Sequence, residues 1–142
     1  ARAILGVPAG PSTESMPIGG GRDYPRNQDA AKRFVDTYRG TLDPARASTL
    51  LERYGTVAAD LLEYLGEHGD DPLASLPGYS RQEIQYLVTH EWVQTLADLT
   101  KRRTPLAFTG LATTEVLTEL ATVMAPVCGW SAAEKKKQIA RA

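Results

Sequence analysis

His90 and Glu91 open the pattern that zinc proteases use, H-E-x-x-H, in which two histidines one helical turn apart hold a metal and the glutamate activates water. The second histidine position holds Gln94. The other histidine, His68, lies in a glycine-bounded turn with no Cys or second His near it, so no metal site is expected and His90 reads as a surface residue. Glu91 and Asp98 could act as paired carboxylates in acid–base chemistry, but seven residues apart on one helix they need an adjoining pocket to work on. Salt bridging is the simpler role. No G-x-S-x-G frames a serine, and Cys128 sits at an apolar helix end without a neighbouring base, so covalent catalysis is not expected. Gly19, Gly20 and Gly21 lack the following Lys-Ser/Thr, the G-x-G-x-x-G order and the preceding strand of a phosphate cradle. The residues themselves therefore assign no catalytic, cofactor-binding or metal-ligating position.

Composition narrows the remaining classes. At 142 residues, one domain can bury about two-thirds of the surface its unfolded chain exposes. A net charge of -1 supplies no field for nucleic acid, which is not expected as a partner. The single cysteine, Cys128, cannot form an internal disulfide, and a reduced, cytoplasmic setting is expected. No apolar run reaches the 18 or so residues of a membrane span, and the first residues lack the order of a secretory signal. The opening ARAILGV reads as the tail of a helix, which suggests a piece of a longer protein.

The element expected to organise the chain is 80–103. Ser80 with Glu83 three residues on is a capping box, and the periodicity predicts a single amphipathic helix of about six turns. Ile84, Leu87, Val88, Trp92, Thr95 and Leu99 fall on its apolar side. Glu91, Asp98 and Arg102 project from that same side. Asp98 and Arg102 can pair at four residues' separation, whereas Glu91 needs a partner from elsewhere. These three are expected to form a structural polar network turned inward, where removing one member of a buried pair costs roughly 3–5 kcal/mol.

Around that rod the sequence places shorter helices. Asn27 caps one running to about Arg39, Asp43-Pro44 starts a second that ends at Gly55, and a third begins at Thr56. The segment 70–79 is a loop whose Leu73 and Leu76 tuck against the core. Thr113 or Thr114 caps a helix ending near Gly129, and Ser131 with Glu134 starts a last charged one. No strand pattern competes. The expected fold is all-α: one compact bundle of five to six helices around a long central helix, residues 23–142, preceded by an irregular Pro- and Gly-rich linker, 1–22.

Lys101-Arg102-Arg103 partly offsets a helix dipole, and Lys135-Lys136-Lys137 reads as a solvated face, with weak contact to membrane headgroups as the alternative. Trp130 is expected in the core. Trp92 is a candidate for an exposed apolar patch if the domain normally caps another.

The run Glu83, Ile84, Tyr86, Leu87, His90, Glu91, Trp92, Thr95, Asp98, Arg102, Arg103 resembles the signature of the C-terminal helical domain of FAD-dependent glycerol-3-phosphate dehydrogenases and the related glycerophosphate oxidases. Met16-Pro17-Ile18-Gly19-Gly20, Arg53-Tyr54-Gly55 and Gly129-Trp130-Ser131 extend the resemblance over nearly the whole chain. It implies a parent enzyme that oxidises glycerol 3-phosphate to dihydroxyacetone phosphate through FAD, with electrons passing to a membrane quinone. The flavin and the catalytic residues would lie upstream. This segment would then be an inactive brace on the FAD-binding domain, with Trp92 and Arg103 as interface candidates and a homo-oligomer possible. The parent would sit peripherally on the cytoplasmic face of the membrane. The alternatives are an oxidase parent that uses oxygen, or a free-standing helical interaction module.

Overall fold

The computed structural model describes residues 16–142. Six helices of ten or more residues carry the fold: α1 (Gln28–Tyr38), α2 (Pro44–Tyr54), α3 (Ala58–His68), α4 (Arg81–His90), α6 (Thr114–Cys128) and α7 (Ala132–Arg141). Between α4 and α6 lies a short α5 (Leu96–Asp98), continued by a π-helical turn, Leu99–Arg103. Among the described residues there is no strand, only one isolated bridge between Pro72 and Ser80. The all-helical expectation holds.

Local chemistry sets the helix ends. Asn27 Oδ1 accepts from the Ala30 amide (2.9 Å), and Asp43 Oδ1 accepts from Ala45 (2.8 Å) ahead of Pro44. Thr113 caps α6, which stops at Gly129 in the left-handed conformation (φ 67°), and Ser131 caps α7. Gly55 ends α2 at φ 64°, ψ -148°, a region close to glycine-only. The first residues of the expected linker lie outside the described residues; 16–18 are irregular and 19–23 form a turn.

The single long rod is not there. The Ser80–Glu83 capping box starts α4 as expected, but the helix closes when the Glu91 amide donates to the Leu87 carbonyl (3.0 Å). Trp92 then takes φ 56°, and a second capping box begins at once. The Thr95 hydroxyl accepts from the Asp98 amide (3.1 Å), and Asp98 Oδ2 accepts from the Thr95 amide (3.0 Å). Thr95 and Asp98 are thus a helix start embedded in a run whose periodicity looks continuous. A left-handed residue costs roughly 1–2 kcal/mol for an L side chain, and a bulky one rarely adopts it.

The break changes which residues reach the core. With the chain redirected, Val93, Leu96 and Leu99 are buried, while Trp92, expected on the apolar stripe, is 84% exposed. One hydrophobic cluster joins Ile84 and Leu87 of α4 to Leu96, Leu99, Leu120 and Met124, with Leu73 and Leu76 folded in from the loop. A second joins Leu50, Leu51, Leu61, Leu62 and Leu65 of α2 and α3 to Tyr86 of α4. Short α4 therefore faces both clusters and is the central element. Trp130 packs, partly buried, against the first.

Candidate functional site

Glu83 has no exposed side-chain surface, and four neighbours close around it. Its Oε1 accepts from Arg53 Nη1 (2.6 Å) and from the Tyr54 hydroxyl (2.6 Å); its Oε2 accepts from Arg46 Nη2 (2.7 Å) and more loosely from the Ser80 amide (3.4 Å). Arg46 also reaches Asp70 through Nε (2.8 Å) and Nη2 (2.9 Å), a two-pronged pairing that suits a planar guanidinium. Arg53 lies over the Tyr79 ring, 3.8 Å from its centroid, in cation–π geometry. Burial alone would lower both guanidinium pKa values, but Glu83, with Asp70 beside Arg46, raises them instead. Burial first, and then Glu83, pushes the Tyr54 hydroxyl up. Asp70, which burial would raise, is held below the usual carboxylate range by Arg46.

This cluster ties α2, the 70–79 loop and α4 together, and both Glu83 oxygens are occupied. The carboxylate is closed to substrate. Sequence reading took Glu83 as a capping residue alone and missed the cluster. The signal available was the pair Arg46 and Arg53, two helical turns apart and flanking buried Leu50 on the inward face of α2.

Beside the cluster, and sharing Arg53 and Tyr54 with it, is a cleft of about 260 Å³ whose walls also include Gly19, Glu91, Arg102 and Arg103. Three of the expected network residues have different surroundings from those anticipated. Asp98 and Arg102 do pair (3.0 Å), yet the Arg102 side chain is 78% exposed and Asp98 22%, so the pair is not turned inward. Asp98 serves the second capping box, and the Thr95 hydroxyl, foremost, holds its carboxyl low. Glu91, 29% exposed, pairs with Arg103 (2.8 Å), which the helix break brings back towards it. Each of the two carboxylates has its own guanidinium, so they do not form a proton-sharing dyad. Trp92 lies next to this cleft in the chain, on the surface.

Elsewhere the side chains offer little chemistry. Among the described residues no group of three or more His, Cys, Asp or Glu could hold a metal. His90 is exposed and stacks on Tyr86 with centroids 4.3 Å apart. Burial pushes the Cys128 thiol up, away from nucleophilic character.

A family model described as the C-terminal domain of alpha-glycerophosphate oxidase matches residues 11–135. The chain belongs to that family. A glycerol-3-phosphate dehydrogenase of Mycobacterium leprae is 35% identical over 105 residues, 70% of this chain and 17% of the relative. Glycerol-3-phosphate dehydrogenase 2 of Mycobacterium tuberculosis is 31% identical over the same shares. The glycerol-3-phosphate dehydrogenase of Synechocystis is 29% identical over 131 residues, 89% of this chain and 23% of the relative. This C-terminal domain thus spans about a fifth of the length of the relatives it matches. No solved structure gives a significant match.

The resemblance places the flavin in the upstream part, and the glycines of this domain at 19–21 and 55 serve a purpose other than a dinucleotide cradle. A dinucleotide fold leaves glycine backbone free for the pyrophosphate at a strand–helix turn. Here the space is filled: a Cβ on Gly20 would collide with the Tyr54 carbonyl, and one on Gly55 with Gly20. The glycines serve a chain crossing, in which the Thr56 amide donates to the Gly20 carbonyl (2.9 Å) and the Thr56 hydroxyl to that of Arg22 (2.8 Å).

Proposed function

We propose that this chain is the C-terminal accessory domain of an FAD-dependent glycerol-3-phosphate dehydrogenase, and that it braces the catalytic part without catalysing. The observation that carries this reading is the Glu83 cluster. The domain's most buried charge is saturated by Arg46, Arg53 and Tyr54, which is the organisation of a scaffold and not of a reaction centre. Family membership and relatives named glycerol-3-phosphate dehydrogenase support the parent activity, oxidation of glycerol 3-phosphate to dihydroxyacetone phosphate. The flavin, the substrate phosphate and the catalytic base would then be held upstream, with quinone as acceptor and the parent peripheral on the cytoplasmic face of the membrane. No described helix is long and apolar enough to cross a membrane, so attachment through this domain would be to a surface or to the upstream part.

The test is the parent with and without residues 23–142. Truncation is expected to lower the parent's thermal midpoint, and the separate domain to show neither glycerol 3-phosphate oxidation nor flavin absorbance. Stoichiometric flavin or turnover in the separate domain would overturn the reading. An oxygen-using parent is the second reading, favoured by the family's description as an oxidase domain. Peroxide formed in step with glycerol 3-phosphate consumption would select it.

A further inference from the structure

We propose that the cleft between α3 and α4, walled by Asp60, Glu63, Tyr64, Glu67, Tyr86 and His90, binds the primary ammonium head of an alkylamine. Two copies of one sequence pattern build it. Residues 64–68 and 86–90 both read Tyr-Leu-x-x-His, and in each the histidine stacks on the tyrosine one helical turn before it, with centroids 4.1 Å apart for Tyr64–His68 and 4.3 Å for Tyr86–His90. The two pairs meet across the helices, where Tyr64 approaches the Tyr86 ring (5.3 Å) and, edge to face, the His90 ring (5.9 Å). An aromatic wall results, bordering a cleft of about 350 Å³.

Packing accounts for the rings but not for the polar groups beside them. Tyr86 is only 7% exposed, yet among the described residues its side bonds are those accepted by its carbonyl, and its hydroxyl has no partner. That hydroxyl is not sealed inside the protein either, so it opens on the cleft that Tyr86 lines. Burial first, and then the charges of Asp60 and Glu91, push its pKa up, which keeps it a neutral phenol with oxygen lone pairs to offer. Asp60, Glu63 and Glu67 follow at intervals of three and four along α3, a spacing at which like charges repel. None of the three carboxylates is in a salt bridge among the described residues.

The cleft therefore supplies acceptors and negative charge next to aromatic surface, and it calls for a cation that carries donors. A metal ion does not fit, since no group of His, Cys, Asp and Glu among the described residues is arranged to hold one. A quaternary ammonium has no N–H for the hydroxyl and the carboxylates. A primary ammonium presents its N–H donors on one compact positive head, and its alkyl stem lies well against the rings.

Photolabelling of the full-length parent with a diazirine-bearing primary alkylamine tests the proposal. Label is expected on the peptides containing 58–68 and 81–90, and n-butylammonium chloride is expected to suppress it at concentrations about tenfold below those needed of tetramethylammonium chloride or sodium chloride. Equal suppression by the three salts, or no suppressible label on these peptides, would overturn the proposal. Tyr86→Phe removes one oxygen while keeping every ring and carboxylate, and is expected to raise the half-suppressing n-butylammonium concentration about tenfold with the circular dichroism unchanged. Asp60→Asn, at an exposed position, is expected to raise it several-fold. Wild-type values in both variants would also overturn the proposal. Suppression by Nα-acetyl-lysine amide at the n-butylammonium concentration would assign the head to a lysine side chain, and suppression by n-butylammonium alone would assign it to a free amine. None of these readouts involves flavin or turnover, so they stand apart from the accessory-domain reading.

Discussion

Replacing Glu83 by glutamine keeps the shape of the side chain and removes its charge, leaving Arg46 and Arg53 without their shared carboxylate in a buried setting. Glu83→Gln is expected to cost about 3 kcal/mol in chemical denaturation, because Arg53 loses its carboxylate partner in a mostly buried setting while Arg46 keeps only Asp70. The residues nearer the helix break behave differently. Arg102→Ala is expected to change stability by no more than about 0.5 kcal/mol, since its side chain is exposed and its ion pair screened. Asp98→Ala is expected to cost about 1 kcal/mol, the usual effect of losing a capping interaction, here the one with Thr95. A double-mutant cycle on Asp98 and Arg102 with coupling above about 1 kcal/mol would show that the pair is more sheltered than its exposure indicates.

At the scale of elements, two backbone positions decide how the helices join. Trp92 occupies a conformation that glycine adopts without strain, and it is 84% exposed. Trp92→Gly is therefore expected to leave the domain's own stability unchanged or raise it by up to about 1 kcal/mol, as seen in its thermal midpoint. A loss of stability would mean that the indole packs within the domain. Gly55 is the opposite case. Its positive φ and the nearness of the Gly20 backbone leave no room for a Cβ, so Gly55→Ala is expected to cost on the order of 2 kcal/mol and to loosen the 19–23 turn.

For the whole molecule, the response to acid depends on depressed carboxylates, which among the described residues are Asp70, Asp98, Glu119 and the exposed Glu134. Asp70, Asp98 and Glu119 are all held below their ordinary pKa values, Glu119 chiefly by the Ser75 hydroxyl, which with the Ala74 and Ser75 amides anchors the 70–79 loop to α6. A carboxylate whose native pKa is depressed binds protons more weakly folded than unfolded. Its contribution is complete above the unfolded value and disappears as pH falls through the native one. The thermal midpoint is expected to hold near neutrality and to drop below about pH 4. Glu119→Gln should flatten part of that drop. An unchanged acid profile in this variant would show that the loop anchor is not titrating.

Much of the architecture was legible in the sequence because helix termini are local: Asn27, Asp43, Ser80, Thr113 and Ser131 each bond within three residues, so a short window contains both partners. The same locality misled at 91–95, where periodicity over six turns outweighed a Thr95–Asp98 start signal inside it. Choosing between them depended on whether Trp92 or Val93 and Leu96 filled the core, and that is a matter of what α6 and α7 place opposite. The Glu83 cluster likewise joins residues 29 to 37 positions apart. Sequence alone determined most of the helices and their caps, with the break at 91–95 the exception. Tertiary structure decided which charges are buried and which indole faces solvent, because burial and pairing are relations between distant segments that no single stretch of chain contains.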